Sequence, residues 1–319
     1  MNVKILGIGH ALPDSVVSND ELSKTLDTNN DWIVSRTGIK QRYVAQHDVH
    51  TSDLATEALD HALQDSGIAV DELSGIIVAT TTPDLLMPST ATIVQKKIGM
   101  THGFAFDIQA ACAGFIYALD LAYSLIHAGR ATKIAVIGAE TMSRIVNWQD
   151  RKTCILFGDG AGAVVLSKST DDDVSAVLSI DINSDGKFLD ILKVPGGIST
   201  GALHSKLEMD GQEVYKFAID SMVNSLQKII KAQNITAADI DWVIAHQANY
   251  RIISSVATRL NIPMTKVAIT VDQHANTSAA SIPLAFSYYK SQKKIKRGDL
   301  LAFTAVGAGM TWGSALVRY

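Results

Sequence analysis

The chain has 319 residues, 47% of them hydrophobic and 19% charged, with a formal net charge of −4. That is enough apolar material for a large core in one domain or two fused ones, and the mixed charge argues against nucleic acid as a bulk electrostatic partner. The opening MNVKILGIGHALPDS lacks the basic start, apolar run and small-residue cleavage site of a signal peptide. No stretch reaches the ~18 uninterrupted apolar residues of a membrane helix, so a cytoplasmic protein with no membrane partner is expected.

In chain order, Lys4 to Gly9 reads as a strand. Thr51-Ser52-Asp53 starts a helix whose Leu54, Ala55, Ala58, Leu59, Ala62 and Leu63 form one apolar stripe. Gly75 to Thr80 and Phe104 to Ile108 read as short buried strands. Cys112 to Ala128 is apolar nearly all round, which predicts a helix buried on every side and ended by Gly129. Strands follow at Ile134 to Gly138 and Gly162 to Ser167, and the apolar run Thr153 to Phe157 is strand-like. The polar stretch Ser169 to Val174, with Asp171-Asp172-Asp173, is the best boundary between halves, 1–170 and 171–319. Beyond it come a long helix, Gln212 to Lys231, a strand, Asp241 to Ala245, further helices, and closing strands from Leu300 to Tyr319. Alternating strands and helices imply an α/β fold with a largely buried sheet.

Four places could carry chemistry. Cys112 opens a helix directly after a strand, and a helix N-terminus favours thiolate over thiol, below the free value near ~8.5. The competing reading is an inert buried cysteine. His246 ends the strand Trp242 to Ala245, where it can donate to a developing oxyanion or simply pack. Asn276 precedes a helix rich in small residues, as a donor into a site or as an ordinary N-cap. His274, two residues earlier, competes for the same role. The run Gly307-Ala308-Gly309 lets the backbone come close to a ligand and offers N–H groups to an oxyanion, or is a plain tight turn. Cys154 reads as structural, and the two cysteines have neither zinc spacing nor, in a reducing compartment, reason to pair. His47 and His50 read as solvated, and so does the run Lys293-Lys294-x-Lys296-Arg297.

Cys112, His246 and Asn276 together are far more specific than any one alone. With DWIVSRTGI at 31–39, AACAGF at 110–115, DRKTCILFGDGAGA at 150–163, HQANYRI at 246–252, NTSAASIP at 276–283 and the closing TWGSALVRY, the chain resembles the β-ketoacyl-acyl carrier protein synthase III family end to end. The resemblance implies a thiolase-like, five-layered αβαβα fold of two pseudo-symmetric halves, working as a homodimer. The first half would carry the nucleophile and the second the His and Asn. It implies a decarboxylative condensation. An acyl-CoA, typically acetyl-CoA, acylates Cys112. Malonyl-acyl carrier protein then loses CO2 and attacks the acyl group, giving 3-oxoacyl carrier protein and initiating fatty acid synthesis. His246 and Asn276 would stabilise the enolate, and the backbone N–H groups of Cys112 and Ala308 the tetrahedral intermediate. No permanently bound cofactor or metal is expected; acyl-CoA and malonyl-acyl carrier protein are substrates.

The same resemblance assigns CoA contacts to Trp32, Arg36, Arg151 and Asn249, and contacts with the acidic carrier protein to Lys216, Arg251 and Arg259. It assigns the acyl pocket to Met87 and Phe157. Met87 stands where many members place Phe, which leaves primer length and branching open. Ala308 replaces a family glycine, tolerable unless that residue needs a positive φ. A related condensing enzyme with a longer or branched primer, or a secondary-metabolite role, is the alternative. A thioester hydrolase would have no need of Asn276, and an inactive scaffold no need of the three residues.

Overall fold

The computed structural model describes residues 2–169, 173–202 and 205–319. The centre of the expected boundary, residues 170–172, lies outside the described residues. On its two flanks the chain belongs to different sheets. Val3–Ala11 (β1), Gly75–Ala79 (β2), Phe104–Ile108 (β3), Lys133–Thr141 (β4) and Asp159–Lys168 (β5) form one, in the order β1-β5-β4-β2-β3. Ala176–Ser184 (β6), Trp242–Ala245 (β7), Leu300–Gly307 (β8) and Thr311–Arg318 (β9) form the other, in the order β7-β8-β9-β6. Both sheets are mixed: β2 runs parallel to β3 and β4, whereas β5 is antiparallel to β1 and β4.

Helices cover both faces of each sheet, because strands such as GIIVA are apolar on both sides and must be buried on both. Thr51–Ser66 (α1) and Thr90–Ile98 (α2) pack on the outer face of the first sheet. Gly211–Ala232 (α4) and Tyr250–Arg259 (α5) pack on the outer face of the second. Between the sheets lie Gly114–His127 (α3) and Ser281–Ser291 (α6), in a core that draws side chains from both sheets. The result is the expected αβαβα sandwich.

Local expectations fared unevenly. Gly129 ends α3 with φ 71°, the left-handed turn that glycine makes without strain. The helix itself is not buried on every side. Tyr117, Asp120, Leu121 and Tyr123 are only half-buried, and so is every residue of the edge strand β3. Thr153 to Phe157 is a series of turns rather than a strand. The cap of α1 is His50, whose backbone N–H donates to Asp53 Oδ2 at 2.8 Å while its side chain stays exposed, as expected. The charge run is exposed as expected, and Arg297 in addition donates to Ile5 O at 2.6 Å and lies 3.9 Å from the Tyr319 ring.

Candidate active site

Cys112 lies in a one-turn 3-10 segment, Ala111–Ala113, between β3 and α3. It is 8% exposed. Ala111 just before it has φ 46°, a sparsely populated region for a residue with a Cβ. The helix-start effect that favours the thiolate is opposed here by burial. Burial pushes the thiol up to about 12; a hydrogen bond from Ser278 works against this, and the Glu140 carboxylate adds to it.

His246 follows β7, its N–H bonded to Thr304 O at 2.8 Å, and is 2% exposed. Its Nδ1 lies 2.6 Å from the Ser281 hydroxyl, which also accepts the Gln247 N–H at 3.3 Å. Burial lowers the imidazole to about 3, so the ring is neutral at physiological pH.

Asn276 is fixed at both ends of its backbone. Its N–H donates to Leu156 O at 2.9 Å and its C=O accepts from Gly158 N–H at 3.0 Å, which seats it beside buried Phe157. Its Oδ1 accepts the Ser278 N–H at 2.9 Å, leaving the amide NH2 free to donate elsewhere. The segment 276–281 thus ties two of the key residues together: Asn276 begins it, and Ser281, the first residue of α6, holds His246.

The glycine-rich turn closes the other side. A Cβ at Gly307 would lie 2.6 Å from the Cys112 backbone nitrogen, so only glycine permits this approach. Thr311 Oγ1 donates to Ala110 O at 2.9 Å and Ala308 O at 3.1 Å, tying the turn to the nucleophile segment. Ala308 has no positive φ, so the backbone there puts no strain on an alanine. His274 does not compete with Asn276. Its ring is buried with Tyr43 and Tyr288 edge-on, at 5.9 and 5.3 Å between centroids.

The expected CoA residues form a separate surface group. Arg36 and Arg151 sit 4.7 and 5.2 Å from the Trp32 ring centroid. Arg151 is also paired with Asp27. Asn249 caps α5 by accepting the Arg251 N–H at 2.7 Å, and Arg251 reaches across to Ser35 O at 3.0 Å, beside Trp32. Of the expected carrier-protein residues, Lys216 and Arg259 are each paired with an acid on α4, Glu213 and Asp220. Arg251 joins no ion pair among the described residues. Met87 is 84% exposed on a loop with exposed Leu85 and Leu86. Sequence reasoning missed Glu140, Ser278, Ser281 and Thr311. The two serines lie inside the NTSAAS motif, but nothing in the letters distinguishes them from small packing residues.

Two family models match the chain: 3-oxoacyl-[acyl-carrier-protein (ACP)] synthase III over residues 106–186, and its C-terminal counterpart over 230–319. A curated relative from Ehrlichia canis, beta-ketoacyl-[acyl-carrier-protein] synthase III, is 52% identical over 314 residues, 98% of each chain. The crystal structure of the Aquifex aeolicus 3-oxoacyl-[acyl-carrier-protein] synthase III superposes with a TM-score of 0.95 at 42% identity, covering 99% of this chain and 100% of that one. The Pseudomonas aeruginosa enzyme gives 0.95 at 38% identity, covering 100% and 98%.

Proposed function

The chain belongs to the 3-oxoacyl-[acyl-carrier-protein] synthase III family, and from that premise we propose how its residues perform the condensation that starts fatty acid synthesis. The substrates are an acyl-CoA primer, acetyl-CoA in the first instance, and malonyl-acyl carrier protein. The products are 3-oxoacyl-acyl carrier protein, CoA and CO2.

Cys112 attacks the primer's carbonyl, its sulfur forming the new thioester while CoA leaves as thiolate. The N–H groups of Cys112 and Ala308 stabilise the tetrahedral oxyanion, a role supported by the close approach of Gly307 to the Cys112 nitrogen. Malonyl-acyl carrier protein then enters. Its carboxylate leaves as CO2, and the released electron pair becomes an enolate with charge on the thioester oxygen. His246 Nε2 and Asn276 Nδ2 donate to that oxygen. The enolate carbon attacks the acyl carbon, and Cys112 departs as thiolate.

The single observation that carries this reading is the segment 276–281, which begins with Asn276 and holds His246 through Ser281. A neutral His246 suits it, because a transient charge needs a donor and not a standing cation.

Trp32, Arg36, Arg151 and Asn249 hold the CoA arm in this reading, and Arg251, Lys216 and Arg259 receive the acidic carrier protein. Homodimerisation is supported by the half-covered edge strand β3, the half-buried face of α3 and the exposed Leu85-Leu86-Met87. In such a dimer Met87 would complete the partner's acyl pocket together with Phe157. A cytoplasmic location is consistent with the described residues, none of whose helices is long and apolar enough to cross a membrane. The test is product analysis with acetyl-CoA and malonyl-acyl carrier protein: 3-oxobutyryl carrier protein with stoichiometric CO2 supports the reading, and hydrolysis of acetyl-CoA without carbon–carbon bond formation contradicts it.

A further inference from the structure

Gln247 has no part in the chemistry above, yet it stands directly after His246 and is only 1% exposed. Its Nε2 donates to Ala245 O at 2.7 Å and to Ala268 O at 3.1 Å. Its Oε1 accepts the Thr270 N–H at 2.9 Å and the Val271 N–H at 3.0 Å. Both N–H bonds and both lone pairs of the carboxamide are thereby used. Two carbonyls on one side and two N–H groups on the other admit only this orientation of the amide.

These bonds tie the end of β7, which presents His246, to the segment that leads to Asn276. Backbone pairing between the two stops at Ala268, whose N–H donates to Val243 O at 2.9 Å. Beyond it Val271–His274 forms a one-turn helix that its own N-cap does not serve: Thr270 makes no side-chain cap, and its hydroxyl is buried without a partner. Gln247 Oε1 supplies the cap from another element, meeting two N–H groups that a helix start leaves unpaired. The turn then ends in strain. Ala275 has φ 58° and ψ −158°, a region almost confined to glycine, which persists only where neighbours hold the chain on both sides. On the far side Asn276 N–H is held by Leu156 O. On the near side Ala275 N–H donates to Val271 O at 3.1 Å, on the same residue whose N–H Gln247 grips.

We propose that Gln247 is the positioning residue of the two enolate donors: it clamps the strand end carrying His246 to the turn that delivers Asn276, and so sets the spacing between His246 Nε2 and Asn276 Nδ2. This rests on the reading that both groups donate to one enolate oxygen. Gln247 itself touches no reacting atom. Two donors meet one oxygen at a single spacing, and an error of about 1 Å costs about 100-fold. Acylation of Cys112 draws on other donors, the N–H groups of Cys112 and Ala308, and does not depend on that spacing.

The test separates the half-reactions in Gln247→Met, which keeps the side-chain length and removes all four bonds. CO2 release from malonyl-acyl carrier protein by pre-acetylated enzyme should fall about 100-fold, while acetyl uptake by Cys112 changes little. Added to Asn276→Ala, the same substitution should cost little further, because a spacing between two donors has no meaning once one is gone. Equal loss of both half-reactions, or a full multiplicative loss in the Asn276→Ala background, overturns the clamp. If the methionine variant does not fold, Gln247→Glu is read by the same two criteria; as a neutral acid it keeps an oxygen for the Thr270 and Val271 N–H groups and one donor for a carbonyl. Amide hydrogen exchange judges the clamp without activity: faster exchange over residues 270–276 in the variant supports it, and unchanged exchange there overturns it. A wild-type chain that never releases CO2 from malonyl-acyl carrier protein removes the synthase reading instead, and the exchange result then decides the clamp alone.

Discussion

The Ser281 hydroxyl lies 2.6 Å from His246 Nδ1 while accepting the Gln247 N–H at 3.3 Å. A Ser281 hydroxyl that donates to Nδ1 leaves Nε2 carrying the imidazole N–H, the tautomer that the proposed donor role of His246 requires. Ser281→Ala frees the ring to take the other tautomer. Decarboxylation of malonyl-acyl carrier protein should fall about tenfold, a loss of about 1–2 kcal/mol, with acetyl labelling of Cys112 preserved. Equal loss of both would count against a tautomer lock.

Asn276→Ala removes one of two donors to the enolate oxygen. CO2 release by pre-acetylated enzyme should fall about 100- to 1,000-fold, the typical cost of one oxyanion donor. Label uptake from acetyl-CoA should change little. The buried Phe157 contact and the Leu156 and Gly158 backbone bonds do not depend on the side chain, so the fold should persist. Circular dichroism checks that.

Trp32→Ala and Arg151→Ala each remove one partner of a ring–guanidinium pair 5.2 Å apart. A stacked aromatic or cationic contact is worth about 1–2 kcal/mol, so KM for acetyl-CoA should rise about tenfold with kcat nearly unchanged. A fall in kcat at unchanged KM would place these residues outside the CoA arm.

His274 bears on stability. Burial lowers its imidazole to about 4, below an unfolded value near ~6.5. The folded ring is neutral where the unfolded ring is charged, so its contribution is present above about pH 6.5 and is lost as pH falls toward 4. The loss is about 3 kcal/mol by pH 4 from this group alone. Phenylalanine fits between Tyr43 and Tyr288 and does not titrate. His274→Phe should therefore flatten the acid limb of a denaturant-melt series, and an unchanged limb would show that the ring is not neutral in the fold.

Much of this was legible in the letters. The strand at Phe104–Ile108 and the glycine stop at 129 matched, because an apolar run bounded by polar residues and a glycine past a helix leave few options. Thr153 to Phe157 misled for the converse reason: a short apolar run is equally suited to buried turns. The catalytic trio was readable only through its motifs, since no local pattern brings residues 112, 246 and 276 together. Glu140 was unreadable because an acid at a strand's end ordinarily faces water; only the folded chain brings Thr80, Thr81, Thr82 and Ser278 around it. The burial that opposes ionisation of Cys112 was unreadable because a helix start is visible in sequence and desolvation is not.

The central claim is that Cys112 carries the acyl group between the two half-reactions. Its most direct test is intact-protein and peptide mass spectrometry after incubation with acetyl-CoA alone, followed by addition of malonyl-acyl carrier protein. The account predicts one acetyl group on Cys112 and none on Cys154, discharged on adding the second substrate, with no label in Cys112→Ala. Persistent covalent acetyl in Cys112→Ala, or label on Cys112 that malonyl-acyl carrier protein fails to discharge, would contradict it.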